Sequence, residues 1–404
     1  MEKQLILTLN GGSSSLKFAG YQISNLSVPL FRGKFERLGT EHTRFSFSNQ
    51  DKPAETERVS LVDGRTAAEF LLGHLDEVGF LDQIAGVGHR LVHGGSQYYR
   101  PAIVDSALIK ALGELSVFSP EHLPAEISIV ELCRDRLPAV PQVACFDTAF
   151  HHGMPAVARR IPIPRRYAAK GIQRYGFHGL SCSYVLEELE RQAGDAAAGG
   201  RLILAHLGNG ASLTAVHKRQ SIDTTMGFTP ASGVPMSSRS GDIDPGLVLF
   251  LSQTEGMDAR TFHRMANTES GLLGVSETSS DIKELLRIET GDIRAAEAVA
   301  LFCYRIRQSI GALAASLGGL DTLIFTGGIG EHAAAIRERI CADLGFLGIA
   351  LHPGENARNA AVISRPEAET TVRVIATNEE SVIVKTVVAM LNGMGTTGRN
   401  SPHG

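Results

Sequence analysis

No CxxC pair occurs in this chain of 404 residues, and its five cysteines (Cys133, Cys145, Cys182, Cys303 and Cys341) are scattered. An odd, dispersed set argues against a zinc site or a disulfide framework. It fits thiols kept reduced in a cytoplasm, each a small buried hydrophobe. There is no basic stripe or tail. The 39 basic residues are intermixed with 43 acidic ones for a net charge of -4, which removes the electrostatic case for nucleic acid or an acidic membrane surface as partner. No apolar run reaches membrane-spanning length, and the opening MEKQLILTLNGG holds too short a run for a secretory signal. Heptads, low-complexity tracts and the pattern GxxxxGK[ST] are also missing.

What is present is a repeat. QLILTLNGGSSSLKFA from Gln4 aligns without a gap to RLILAHLGNGASLTAV from Arg201, at an offset of 197. Leu5, Ile6, Leu7, Gly11, Ser15 and Leu16 recur as Leu202, Ile203, Leu204, Gly208, Ser212 and Leu213. Each copy is an apolar run, a small-residue turn and a second short run, which predicts a hairpin with a glycine-rich tip. Such a tip exposes backbone N–H groups with little side-chain bulk to keep an anion away. Two tips from duplicated halves suggest two lobes closing on one phosphate chain. The plainer alternative, two unrelated hairpins, has to explain identities that include the turn. With 43% hydrophobic residues the chain can fill the cores of two or three domains.

Further strands are expected at PLFRGKFERLG, TRFSFSN, IAGVGHRLVHGG and VACFDTAF, with helices over Thr66 to Val78, Ser106 to Leu115 and Ala125 to Leu137. The Pro- and Arg-rich RRIPIPRRYAAKG reads as an extended connector. The second copy repeats the order with a third strand near QSIDTTMG. It adds LIFTGGIGE, a strand opening onto a glycine-rich loop, then the helix AAAIRERICADLG, the strand VRVIATNEE and the helix SVIVKTVVAML. The polar tail NGMGTTGRNSPHG is expected to fray.

Several segments could carry chemistry. Asn10 ends the first strand, where its amide oxygen could hold a hydrated Mg²⁺; Lys17, with Ser13, Ser14 and Ser15, could meet phosphate. The alternative is an ordinary polar turn. Arg90 in GHRLVHGG follows a buried strand, and its fork matches the two oxygens of a carboxylate or phosphoryl group. Asp147 in FDTAFH could hold metal or orient a nucleophile, or simply cap the following turn together with Thr148. His178 in RYGFHGLS, between Gly176 and Gly179, could donate to developing charge. SRSGDIDPG gathers Arg239, Asp242 and Asp244, or is a solvated turn. TSSDIKEL holds Asp281 and Lys283 at a helix N-terminus capped by Ser280 or Asp281. TGGIGEH, between a strand and a helix, has the context of a nucleotide contact.

Taken in order, NGGSSSLK, GHRLVHGG, FDTAFH, RYGFHG, HLGNG, SRSGDIDPG and TNEE resemble the acetate kinase family, within the acetate and sugar kinase, heat-shock chaperone and actin superfamily. The resemblance runs from Asn10 to about Glu380. It implies an α/β chain of two duplicated lobes of the actin-like ATPase (ribonuclease H-like) fold, each a mixed five-stranded sheet flanked by helices. Residues 1–146 with 382–404 would form one lobe and 147–381 the other, with ATP and a metal in the cleft between them. The implied activity is reversible ATP-dependent phosphorylation of a short-chain carboxylate, acetate first, in a cytoplasmic homodimer.

In the family pattern Asn10 and Glu379 attend Mg²⁺ or Mn²⁺, and Lys17 serves the nucleotide phosphates. His206, Leu207, Gly208, Asn209 and Gly210 form a second phosphate loop. Asp281, Ile282 and Lys283, and Gly328, Ile329, Gly330, Glu331 and His332, match nucleotide-contacting stretches. Arg90 binds the carboxylate, Asp147 is the catalytic acidic residue, and His178 and Arg239 stabilise the transition state. Val92 and Pro230 keep the apolar character of the acyl pocket. Four positions depart from the pattern: Glu121 stands where an apolar residue usually walls that pocket, Leu123 replaces a polar residue, Lys283 replaces an arginine, and His332 replaces an asparagine. The rival readings are a kinase preferring propionate or another short-chain acid, a nucleotide-binding paralogue that regulates, and an actin- or chaperone-like ATP-driven clamp. The last gives no reason for Arg90, His178 and Arg239 together.

Overall fold

The strand Leu5–Gly11 (β1, LILTLNG) is buried along nearly its whole length, the signature of a central strand covered on both faces rather than a half-exposed one. In this computed structural model, which describes residues 3–12, 14–50 and 52–397, β1 turns back as an antiparallel hairpin onto Ser15–Gln22 (β2), pairing Gly11 with Leu16. Ser13 in the expected phosphate turn, and residues 398–404 of the expected tail, lie outside the described residues. Phe31–Glu36 (β3), Arg44–Asn49 (β4) and Glu55–Arg58 (β5) continue the meander. Ile84–Leu91 (β6) runs parallel to β1, Gln142–Phe146 (β8) runs parallel to β6, and the two-residue Ala102–Ile103 (β7) pairs antiparallel at the edge. The order is β5-β4-β3-β2-β1-β6-β8-β7, an eight-stranded sheet.

The second copy forms Leu202–Leu207 (β9) and Ala211–His217 (β10), again an antiparallel hairpin, followed by Gln220–Thr224 (β11). Thr322–Thr326 (β12) and Thr371–Val374 (β13) add in parallel, giving a five-stranded sheet of order β11-β10-β9-β12-β13. Five strands were expected in each sheet, and the first has eight. The additions are β4, β5 and β7. The last two are short and held to the sheet by backbone pairing, so no apolar alternation announces them. RRIPIPRRYAAKG is not wholly extended: Arg165–Lys170 winds into a 3₁₀ turn behind Pro164, whose fixed φ suits a helical start. GGIGEH is a six-residue helix, Gly327–His332, rather than a loop.

Chain contacts divide the molecule into a first unit, Met1–Ala149 with Asn378–Gly404, and a second, Phe150–Thr377. Both sheets are flanked by helices. In the first unit Leu5, Leu7 and Leu9 face a core shared with Leu71 and Leu75 of the helix Gly64–Glu77 and Ile129 of the helix Leu123–Arg136. Asp63 starts the first of these helices with a reciprocal cap on Thr66. Ile6, on the other face, meets Val387 and Leu391 of the helix Glu379–Thr397 beside Gly86. Stacked phenylalanines close the meander end: the Phe35 and Phe45 ring centroids are 4.7 Å apart, and burying each such ring is worth about 1.5–3 kcal/mol. In the second unit the 25-residue helix Ile293–Leu317 packs on β9, β10 and β11. All five cysteines are buried thiols. Among the described residues no helix is long and apolar enough to cross a membrane.

Candidate active site

Three parallel strands of the first unit end together. Asn10 pairs with Arg90 across β1 and β6, Arg90 pairs with Cys145 across β6 and β8, and the chain leaves β8 into Asp147, whose N–H donates to Leu91 O at 2.9 Å. Carboxyl ends of adjacent parallel strands are where α/β sheets take ligands. Asp147 is fully buried. Its Oδ2 accepts from Arg90 Nε at 3.1 Å and Nη2 at 2.5 Å. Arg90 Nη1 donates to Gly11 O at 2.9 Å and to Glu126 Oε1 at 3.1 Å. Glu126, on the helix Leu123–Arg136, accepts from the Val92 N–H through its other oxygen at 2.8 Å. The Asn10 amide donates to Glu379 at 2.8 Å and to Glu380 at 3.3 Å.

The electrostatics of this cluster are short of positive charge. Burial works against the Arg90 cation, but Asp147 and then Glu126 hold its pKa above the ordinary value. Burial pushes Glu126 up to about 7 against the pull of Arg90. Glu379 is likewise pushed up to about 7, by burial first and by the Asp147 charge second, with Arg90 and Lys17 opposing. Asp147 Oδ1 is a buried carboxylate oxygen with no hydrogen-bond partner, a costly arrangement unless something else meets it.

The second unit gathers donors instead. His178 sits at φ +58°, a left-handed conformation unusual for a residue with a Cβ, at the mouth of the helix Gly179–Ala193. Its Nδ1 lies 2.9 Å from Ser212 Oγ of β10. The His206 ring, at the end of β9, stacks on it with centroids 4.2 Å apart and planes 19° from parallel. His206 Nδ1 lies 2.8 Å from Ser181 Oγ, which accepts from Thr377 Oγ1 at 2.8 Å. Arg239 Nη1 donates to Pro230 O at 3.1 Å. A Cβ built on Gly210, in the β9–β10 turn, would lie 3.2 Å from His178 Nε2 and 3.3 Å from Arg239 Nη1. One point beside a bare backbone is therefore faced by an imidazole and a guanidinium. Next to it, Gly327 turns β12 into the helix Gly327–His332 at φ +76°, where a Cβ would meet Leu207 O at 2.7 Å. Glu331 Oε1 fixes that corner by accepting from the Gly327 and Thr377 N–H groups at 2.9 and 3.1 Å.

The remaining expected residues differ in burial and in partners. Val92 and Pro230 are buried. Leu207 is also buried, and Gly208 and Asn209 belong to the β9–β10 turn, where Asn209 O accepts from the Ser237 N–H at 3.2 Å. Lys17 is exposed on β2, and Glu121 is exposed. Asp281 caps the helix Ile282–Ile288 by accepting from the Lys283 N–H at 2.9 Å. Ile282 is a core residue, whereas Lys283, Gly328 and His332 are exposed and Ile329 and Gly330 are buried. Asp242 and Asp244 accept from the backbone N–H groups of Gly233 and Gly246, a turn-building role. Glu126 was not singled out from the sequence; Ser212 was read only as a recurring letter of the repeat, and Ser181 and Thr377 only as letters of RYGFHGLS and TNEE. Glu126 reads as one more polar helix position, and single hydroxyls on a helix or strand carry no signal of their own. Glu380 was legible only as the last letter of TNEE.

Residues 5–385 match the acetokinase family model. An acetate kinase of Rhodopseudomonas palustris is 41% identical over 397 residues, covering 96% of this chain and 99% of that one. A propionate kinase of Citrobacter rodentium is 41% identical over 388 residues, covering 95% and 96%. Among solved structures, a propionate kinase from Francisella tularensis superposes with a TM-score of 0.88 at 34% identity, over 95% of this chain and 99% of that one. The two helix-flanked mixed sheets are thus the actin-like ATPase type of fold.

Proposed function

The chain belongs to the acetokinase family, and on that premise we propose that it transfers the terminal phosphoryl group of ATP to acetate, reversibly, giving acetyl phosphate and ADP. The observation that carries the reading is the convergence of His178 Nε2 and Arg239 Nη1 on the space beside Gly210. A carboxylate is already a nucleophile at neutral pH, so base catalysis has little to add. The obstacle is mutual repulsion of two anions, which positioning and charge neutralisation relieve.

In this reading an acetate oxygen attacks the γ-phosphorus in line, and the bond from that phosphorus to the bridging oxygen breaks with its electron pair leaving on ADP. No proton has to move. Arg239 and His178 donate to the equatorial oxygens, where charge spreads in the transition state, and the 208–210 turn offers backbone N–H groups to the phosphate chain. Arg90 orients the acid, and Asp147 holds Arg90 in place. Val92 and Pro230 are assigned to the apolar wall around the acid's methyl group.

The first unit's donor set fits a hard divalent cation. It is all oxygen and carries the buried, unpartnered Asp147 Oδ1. Asp147, Glu126, Glu379 and Glu380 gather there against the cations Arg90 and Lys17. Among the described residues no three His, Cys, Asp or Glu side chains converge as a complete protein cage. Mg²⁺ tolerates that because it keeps several waters and takes phosphate oxygens alongside one or two carboxylates. Bound there, the ion would neutralise phosphate charge; Asp147 and Glu379 would hold it directly or through water, with Asn10 orienting Glu379.

The test is hydroxamate formation from ATP, Mg²⁺ and purified protein with acetate, propionate, butyrate and larger acids in parallel. The reading expects acetate to be turned over best; no acyl hydroxamate from any acid would end it. We also assign a homodimer. The helix Gly246–Glu255 (GLVLFLSQTE) has no buried residue, with Leu249 63% and Phe250 59% exposed, an apolar face that a second copy would cover. Light scattering should give twice the chain mass for the wild type and the single mass for L249E/F250E. A cytoplasmic setting, checked by cell fractionation, accords with the five buried thiols.

A further inference from the structure

The two stacked histidines are each held by a hydroxyl, and counting protons on those hydroxyls decides which ring nitrogen carries hydrogen. Ser212 is 1% exposed, and among the described residues the only hydrogen-bond partner of its side chain is His178 Nδ1 at 2.9 Å. A buried hydroxyl that failed to donate would forfeit about 1–3 kcal/mol. Ser212 must therefore donate to Nδ1, which accepts through its lone pair, and the ring proton of His178 resides on Nε2.

The same count applies to His206 with one more link. Ser181 is fully buried. Its oxygen already accepts from Thr377 Oγ1 at 2.8 Å, so its own proton goes to the one acceptor in reach among the described residues, His206 Nδ1, also at 2.8 Å. His206 is again left with hydrogen on Nε2. Thr377 is itself placed by the Glu331 carboxylate, which accepts from its backbone N–H and from that of Gly327 at 3.1 and 2.9 Å. The glycine corner after β12 is thereby tied to the histidine at the end of β9. The His206 Nε2 lies 3.9 Å from the position of a Cβ on Gly208, and the His178 Nε2 lies 3.2 Å from that of a Cβ on Gly210. Both nitrogens face the same turn.

We propose that Ser212, and Ser181 together with Thr377, are positioning residues that lock His178 and His206 as a stacked pair of neutral Nε2–H donors aimed at the 208–210 turn. His178 then donates to the transferring phosphoryl group and His206 to the rest of the phosphate chain. The assignment deepens the kinase reading and rests on it for what the donors serve; the tautomers stand on the hydrogen-bond count alone. Two neutral rings can stack face to face, whereas two cations could not at this separation. Fixed neutral donors also need no proton transfer when charge develops, which suits a reaction whose nucleophile and leaving group are both anions.

Two kinds of measurement test this. Long-range ¹H–¹⁵N spectra of the ring nitrogens, taken on the wild-type protein without substrate, should show both histidines protonated at Nε2 and bare at Nδ1. Either ring found in the Nδ1–H form would overturn the assignment whatever the protein catalyses. Steady-state kinetics then separates positioning from packing. S212A should lower kcat by about tenfold or more while leaving the KM for ATP within about twofold. T377V, which keeps the shape and deletes the donor, should raise the KM for ATP more than it lowers kcat, and T377S should restore both. Wild-type kinetics in both S212A and T377V would sink the positioning role. Absence of carboxylate-dependent ATP turnover in the wild type would instead overturn the kinase reading, leaving the ring spectra to decide the tautomers.

Discussion

The two units are built on one frame and end its strands in opposite kinds of side chain. β3-β2-β1-β6-β8 and β11-β10-β9-β12-β13 have the same sequence of pairings, two antiparallel and then two parallel, and both hairpins come from the repeated segment. At the strand ends of the first unit stand charges in conflict: a buried aspartate, two carboxyls pushed up to about 7 and an arginine locked among them. At the corresponding ends of the second stand paired imidazoles, serine hydroxyls and bare backbone. Duplication preserved the pairing pattern, which main-chain hydrogen bonds and buried leucines dictate, and left the strand ends to diverge. The proposed function assigns a small acid with a divalent cation to one end and a phosphate chain to the other.

The sharpest way to break this comparison is to remove the second unit's cation. R239A should lower kcat by about 10²–10³-fold while changing the KM for ATP only a few-fold; wild-type-like turnover would take Arg239 out of the transition state. Next comes the first unit's central acid. D147N keeps the size of the side chain but not its charge, and should lower kcat by about 10²-fold with an increased Mg²⁺ requirement in a metal titration at fixed ATP. An unchanged Mg²⁺ dependence would mean that the orphaned oxygen serves no cation.

The smallest effect concerns stability. Burial raises the Glu126 pKa from 4.5 to about 7, so between those values the folded state holds a proton the unfolded state has released. Stability from this group is present at low pH and falls as pH rises through that window. E126Q removes the titration, and its unfolding free energy, measured by denaturant melts across pH 4.5–7.5, should fall less with rising pH than that of the wild type. Equal slopes would show that Glu126 binds its proton equally in the folded and unfolded states, contrary to the raised pKa.

Much of this frame can be read from the chain because a central strand is chemically loud. LILTLNG and RLILAHL announce burial on both faces, and their glycine tips announce the turn. The edges are quiet: ETER at Glu55–Arg58 is a strand made by its neighbour's backbone, with no apolar alternation to betray it. In the site, Asn10, Arg90, His178 and Arg239 were legible beside glycines, and Asp147 at the end of the apolar strand VACF. Glu126 was not, because its burial depends on where the helix Leu123–Arg136 docks. Thr377, Ser181 and His206 come from three separate stretches of the chain, and only folding brings them into one hydrogen-bonded line.

The division of labour is tested most directly by the equilibrium dissociation constant for ATP in two variants, one from each unit, measured calorimetrically against the wild type. G210A fills the space faced by His178 and Arg239 and should weaken ATP at least tenfold. R90Q, in the other unit, should leave it within about twofold and act on acetate instead. ATP binding weakened by R90Q as much as by G210A, or untouched by G210A, would contradict the assignment of the phosphate chain to the second unit.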